Sequence, residues 1–160
     1  MVTTANPQPT RAPTRANLGF ELAKASQRWN ELLAASFAER GFAEVRPAYG
    51  SVLLALFEED GLRMGEIAAR SRLSKQTITT LVRRVASAGL VRRREDPADG
   101  RAARIELTER AHEFAPAGGR VVEELEAEVA AVLTADELAA LGRGLRKIAQ
   151  LRRGDDHDQH

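Results

Sequence analysis

A mainly α-helical protein carrying one β-hairpin is the fold class this sequence predicts, and three observations predict it. Apolar residues recur at helical spacing over most of the 160 residues. Two short runs, "LVRRR" and "RIELT", read instead as strands, with Ile105 and Leu107 alternating against Arg104 and Glu106, and "PADG" between them supplies turn chemistry. Positive charge is concentrated in the middle of the chain. Arg63 to Arg104 holds eleven Lys/Arg and four acids, a net of +7 in a chain whose total is +1, so the remainder carries −6. A basic block inside an acidic chain points to a local surface for a polyanion.

The elements follow in order. Residues 1–16, rich in Pro, Thr and Ala without apolar periodicity, read as a disordered tail. Asn17 is a suitable N-cap for a long helix whose apolar positions are Leu18, Leu22, Ala25, Trp29, Leu32, Leu33 and Phe37, with Gly41 as its stop. Pro47 suits the first turn of a second helix carrying Val52, Leu53, Leu56 and Phe57. A short helix covers about 65–70. After "SRL", Ser74 caps the helix "KQTITTLVRRVASAG", which Gly89 ends. The hairpin comes next. Thr108 then caps a helix to about residue 133, in which Pro116 and Gly118-Gly119 predict an interruption and a hinge. Thr134 and Glu137 stand at capping-box spacing before a last helix. Residues 153–160 read as a polar tail. Three helices followed by a hairpin is the order of a winged helix-turn-helix, here about six helices plus a two-stranded wing.

On a helical wheel, Ile78, Leu81, Val82 and Val85 converge, and Gln76, Thr79, Thr80 and Arg83 fall opposite, with Lys75, Thr77 and Arg84 at the margins. Exposed helix faces commonly carry Glu and Lys together, whereas no acid occurs from Ser74 to Arg94. The residue types suit a major groove: Gln pairs with adenine, Arg with guanine, and a Thr methyl meets the thymine methyl. Ser74 and the first helical N–H groups suit a phosphate. The hairpin adds Arg101 at its tip, a candidate for a narrow, negative minor groove. Asp99 is placed to orient Arg101 or to pair with Arg94, and Arg104 extends the basic set. A solvated helix face and an ordinary surface ion pair are the bland alternatives for each element alone. Their adjacency favours duplex DNA.

The stretches "EIAARSRLSKQTITTLVRRVASAGLVRR" and "DPADGRAARIELTER" resemble the MarR (multiple antibiotic resistance regulator) family of winged-helix transcription factors. The resemblance extends over about residues 18–151, and the second stretch matches the family's wing pattern, Asp-x-Arg followed by Leu-Thr-Glu. By position it implies that the helix from Ser74 is the recognition helix and Arg101 the minor-groove contact. It implies a homodimer on a pseudo-palindromic operator, with a DNA-binding lobe over about 47–108 and a dimerisation lobe over about 17–42 and 109–152, all within one domain, 17–152. It also implies a small aromatic or phenolic effector in a crevice to which Trp29, Arg46, Tyr49 and Phe57 could contribute, with packing in the core or dimer interface the favoured reading for Trp29 and Phe57. Three positions depart from the pattern: Arg63 where a capping Thr or Ser is common, Arg72 at a turn where Gly is frequent, and Ala111 where Gly is frequent.

Other classes fit less well. With no cysteine, disulfides, thiolate metal sites and thiol redox sensing are excluded. The longest uncharged apolar run, "AYGSVLLALF", is far below the ~20 residues of a membrane span, and the N-terminus lacks a secretory apolar core, so a cytoplasmic protein is expected. His112, His157 and His160 fall in no catalytic pattern, which argues against an enzyme, and no cofactor is expected. The "DDHDQH" tail could ligate a cation but reads as solvated. A winged helix that docks on an acidic protein without specific DNA binding is the remaining rival.

Overall fold

The structure is a computed structural model and describes residues 17–151. Both expected tails lie outside these residues. Within them, α1 (Leu18–Glu39) leads through a 3-10 turn (Pro47–Tyr49) into α2 (Gly50–Glu58). Then come β1 (Leu62–Arg63), α3 (Met64–Ser71), α4 (Lys75–Ser87), β2 (Val91–Asp96), β3 (Asp99–Leu107), α5 (Glu109–Val132) and α6 (Ala135–Ile148).

The local signals act where the sequence places them. Asn17 Oδ1 accepts the Phe20 N–H at 2.8 Å, Ser74 Oγ the Thr77 N–H at 3.1 Å and Thr108 Oγ1 the Ala111 N–H at 3.4 Å. Thr134 and Glu137 cap each other, at 3.3 Å to the Thr134 hydroxyl and 2.8 Å to the Glu137 carboxylate. Helix α3, whose first position lacks a Ser or Thr cap, is capped from inside: Glu66 accepts the Arg63 N–H at 2.7 Å.

Three features differ from the expectation. The sheet has three strands in the order β1-β3-β2, because Leu62 pairs with Ile105 and Arg63 with Arg104. Two residues before a helix carry no alternating pattern, so β1 has no sequence signature. Pro47 opens a 3-10 turn and the α-helix starts at Gly50. Helix α5 is continuous from Glu109 to Val132 across Pro116, and Gly118 is a packing residue, not a break. A Cβ at Gly118 would lie 2.6 Å from Cζ of Phe114. That ring is wedged edge-on against Phe37 (5.0 Å) and Phe42 (5.4 Å), and this packing holds the helix through the proline.

The core joins α2, α3, α4 and the sheet through Val52, Leu56, Leu62, Ile67, Ile78, Val82, Val85, Leu90 and Ile105, all essentially inaccessible. Burying each such aliphatic side chain is worth about 1.5–3 kcal/mol relative to exposure. The last two turns of α1, and α5 as far as Leu125, extend this core through Phe37, Phe114, Val121 and Leu125. Arg110 clamps the junction, its guanidinium 4.2 Å over the Phe42 ring and bonded to Glu44 at 2.6 Å. Helix α6, by contrast, contributes no buried residue.

Candidate nucleic-acid interface

Helix α4 owes its orientation to one buried stripe, Ile78, Val82 and Val85, at i, i+4 and i+7. Packing that stripe leaves Lys75, Gln76, Thr77, Thr80, Arg83 and Arg84 exposed and Thr79 half-buried. The threonine hydroxyls are turned back onto the helix: Thr79 Oγ1 donates to the Lys75 carbonyl at 2.8 Å and Thr80 Oγ1 to the Gln76 carbonyl at 3.2 Å. Their methyls are left for apolar contact, which suits thymine methyls. Ser74 Oγ is occupied by its cap and by Thr77 Oγ1 at 2.7 Å. A phosphate at this end would therefore meet the first two helical N–H groups and not the serine hydroxyl.

The wing is built around Asp96, the one charged residue that is buried among those described, at 2 % exposure. Its Oδ2 takes Arg63 Nε at 2.8 Å and Arg104 Nε at 3.3 Å, and its Oδ1 takes the Ala98 N–H at 3.0 Å. The Ala98 N–H and the Arg63 guanidinium hold this carboxyl below the ordinary aspartate range, outweighing burial. Arg94 lies directly opposite Arg104, a like-charge pair that would repel, but each has its own carboxylate. Arg104 has Asp96, and Arg94 shares Glu106 with Arg92, each at 3.2 Å. Desolvation pushes the Glu106 carboxyl up, yet Arg94 and Arg92 together hold it below its usual range.

These pairs change the meaning of the basic block. Of its eleven cations, Arg63, Arg70, Arg92, Arg94 and Arg104 have carboxylate partners. Among the described residues Arg72, Lys75, Arg83, Arg84, Arg93 and Arg101 form no ion pair. Arg104, expected in the DNA-facing set, also donates to the Gly61 carbonyl at 2.9 Å and ties the sheet to the segment before α3. Of the expected set it is the cation least free to reach a ligand.

Arg101 lies beside the turn. The turn itself is Pro97–Ala98, and the pairing jumps from Glu95–Ala103 to Asp96–Asp99, so Gly100, Arg101 and Ala102 form an unpaired excursion on β3. Asp99 neither orients the Arg101 guanidinium nor pairs with Arg94. Its Oδ1 accepts the Arg101 backbone N–H at 3.1 Å, which fixes the bend that carries the side chain. Asp96 has no counterpart in the sequence reading. Its signal, an acid directly before a Pro-Ala turn, is indistinguishable from ordinary turn chemistry until Arg63 is brought to it from 33 residues away.

The candidate effector residues are divided. Arg46 and Tyr49 share an open depression with Glu44, Arg83, Arg84 and Ser87, against α4. Trp29 lines a separate, mainly apolar groove between α1 and α5 with Leu32, Leu125, Val129 and Val132. Phe57 packs half-buried on the core. No helix among the described residues is long and apolar enough to cross a membrane.

Known proteins share this arrangement. A sequence profile described as MarR family matches residues 33–102. The HTH-type transcriptional regulator TtmR of Methylorubrum extorquens is 44% identical over 59 residues, 37% of this chain and 30% of that protein. The exopolysaccharide II synthesis transcriptional activator ExpG of Rhizobium meliloti is 33% identical over 99 residues, 59% of this chain and 50% of that protein. The matches thus span half or less of the length of these two relatives. The crystal structure of the PcaV transcriptional regulator from Streptomyces coelicolor, in complex with its natural ligand, superposes with a TM-score of 0.71 at 26% identity, covering 88% of this chain and 97% of that one.

Proposed function

The chain belongs to the MarR family of winged helix-turn-helix transcriptional regulators, and from that premise we propose that it works as a homodimer that binds a pseudo-palindromic DNA operator. The observation that carries the proposal is the division of the arginines: the fold uses the carboxylates around the wing base and leaves the cations of α4 and Arg101 without ion-pair partners among the described residues. Helix α4 enters a major groove and Arg101 the adjacent minor groove. Regulation is by occupancy, without catalysis, in the cytoplasm. An operator overlapping the promoter gives repression, the mode proposed here, although the relative ExpG is named an activator.

The dimer follows from the unfinished lobe. Leu138, Leu141, Leu145 and Ile148 form one exposed stripe on α6, and Leu18 and Phe20 on α1 and Val132 on α5 are exposed as well. A 14-residue helix with no buried residue is marginal alone in water. A second copy supplies the missing apolar contact, and 17–152 then acts as one unit with a DNA-binding and a dimerisation lobe. PcaV was solved with its natural ligand, which supports regulation by a small-molecule effector, and the family resemblance implies an aromatic or phenolic one. The cationic depression at Arg46 and Tyr49 is the better of the two candidate places for it, since Arg83 and Arg84 line the same space.

Selection of bound duplexes from a random pool tests this reading. The expected product is a palindrome with half-site centres roughly 10 bp apart, one helical turn. Recovery of unenriched sequence would contradict it. Arg101→Ala weakens binding most on sites with A·T-rich minor grooves, where the potential is most negative.

A further inference from the structure

The turn between α3 and α4 contains a residue that the fold alone does not favour. Arg72 has φ 53° and ψ 33°, the left-handed conformation, and is the one non-glycine residue with positive φ among those described. The other three such positions are Gly41, Gly61 and Gly89. The turn requires this geometry, because it lets the Leu73 N–H return to the Ala68 carbonyl at 3.2 Å and close α3. Glycine adopts it without a Cβ clash, and arginine does not.

The side chain offers the fold nothing in return. It is exposed and has no ion-pair partner among the described residues. Backbone strain retained at an exposed, unpaired cation is a signature of use outside the fold. Its place says which use. Arg72 stands two residues before the Ser74 cap, between the helix that crosses the DNA backbone and the helix that enters the groove. In a helix-turn-helix docked on a duplex, a side chain on that turn stands next to the flanking sugar-phosphate strand and away from the base edges.

We propose that Arg72 is a phosphate-binding residue, which pins the start of the recognition helix to the DNA backbone without reading sequence. The assignment deepens the DNA-binding reading above and rests on it. The contact is electrostatic, so it contributes equally on operator and unrelated duplex. It also predicts opposite effects on fold and function from one substitution, since glycine relieves the turn and removes the charge.

The test is the salt dependence of duplex affinity, by fluorescence anisotropy on the full chain, for wild type, Arg72→Gly and Arg72→Lys. Each lost phosphate contact lowers the slope of log K against log salt by about 0.9 per protomer. Arg72→Gly is expected to show that loss on operator and random duplex alike, with a thermal midpoint equal to or above wild type. Arg72→Lys is expected to keep most of the slope. An Arg72→Gly slope equal to wild type overturns the assignment while leaving the DNA-binding reading intact. Loss confined to the operator overturns it too, because it would make Arg72 a base reader. A wild type with no salt-dependent duplex binding would remove both.

Discussion

Helix α4 and helix α6 are both left incomplete by the fold, in opposite chemical senses. Helix α4 buries a full apolar stripe and exposes cations that no carboxylate among the described residues neutralises. Helix α6 buries nothing and exposes an aliphatic stripe spaced 3-4-3. The first needs an anion and is stable without one. The second needs an apolar partner for its own stability. A ligand surface and an assembly surface can thus be separated by asking whether the element stands without its partner.

The largest expected effect lies on the assembly side. Leu141→Glu with Leu145→Glu removes two leucines per protomer from the paired surface, each worth about 1.5–3 kcal/mol when buried. Analytical ultracentrifugation should report a monomer, with operator affinity lost alongside. A dimer of unchanged strength would assign the interface elsewhere. On the ligand side, Gln76→Ala should leave thermal stability within about 0.5 kcal/mol of wild type, as at other exposed sites. It should cost about 1–3 kcal/mol of discrimination at one base pair. Equal losses on operator and random duplex would contradict its assignment to base reading.

Smaller effects test the framework beneath both surfaces. Gly118→Ala gains helix propensity of about 1 kcal/mol, but its methyl meets the Phe114 ring held between Phe37 and Phe42. Overpacking of this kind costs about 1–3 kcal/mol, so a net destabilisation near 1 kcal/mol is expected in chemical denaturation. A stabilised variant would mean that the ring moves aside freely. The smallest effect is local to the wing. Asp96 and Glu106 have lowered native pKa values, so their contribution is complete above the unfolded values of about 3.9 and 4.3 and is lost as pH falls through the lower native ones. Wing amide shifts, Ala98 first, should be constant from pH 5 to 8 and change only below about pH 4. A transition near neutrality would exclude these carboxylates as its source.

The parts of the molecule legible in the sequence are those decided locally. Asn17, Ser74, Thr108 and Thr134 each cap the helix that follows within three residues, and the stripe Ile78, Val82 and Val85 specifies which side of α4 faces out. What escaped depends on partners distant in the chain. Strand β1 exists only because β3 lies beside it. Arg104 reads as one more cation until Asp96 and Gly61 converge on it. Pro116 and Gly118 carry helix-breaking chemistry, and the Phe37, Phe42 and Phe114 cluster overrides it. Charge counting does not separate paired from unpaired cations for the same reason, since pairing with Asp96 and Glu106 is a tertiary event.

The central claim is that the unpaired cations of α4, its preceding turn and the wing together grip duplex DNA. Arg72, Lys75, Arg83, Arg84, Arg93 and Arg101 give at most twelve phosphate contacts in a dimer. The direct measurement is wild-type affinity for a duplex as a function of salt. A slope of log K against log salt of roughly −5 to −11 is the predicted result. A flat line, with binding absent or indifferent to salt, would contradict it.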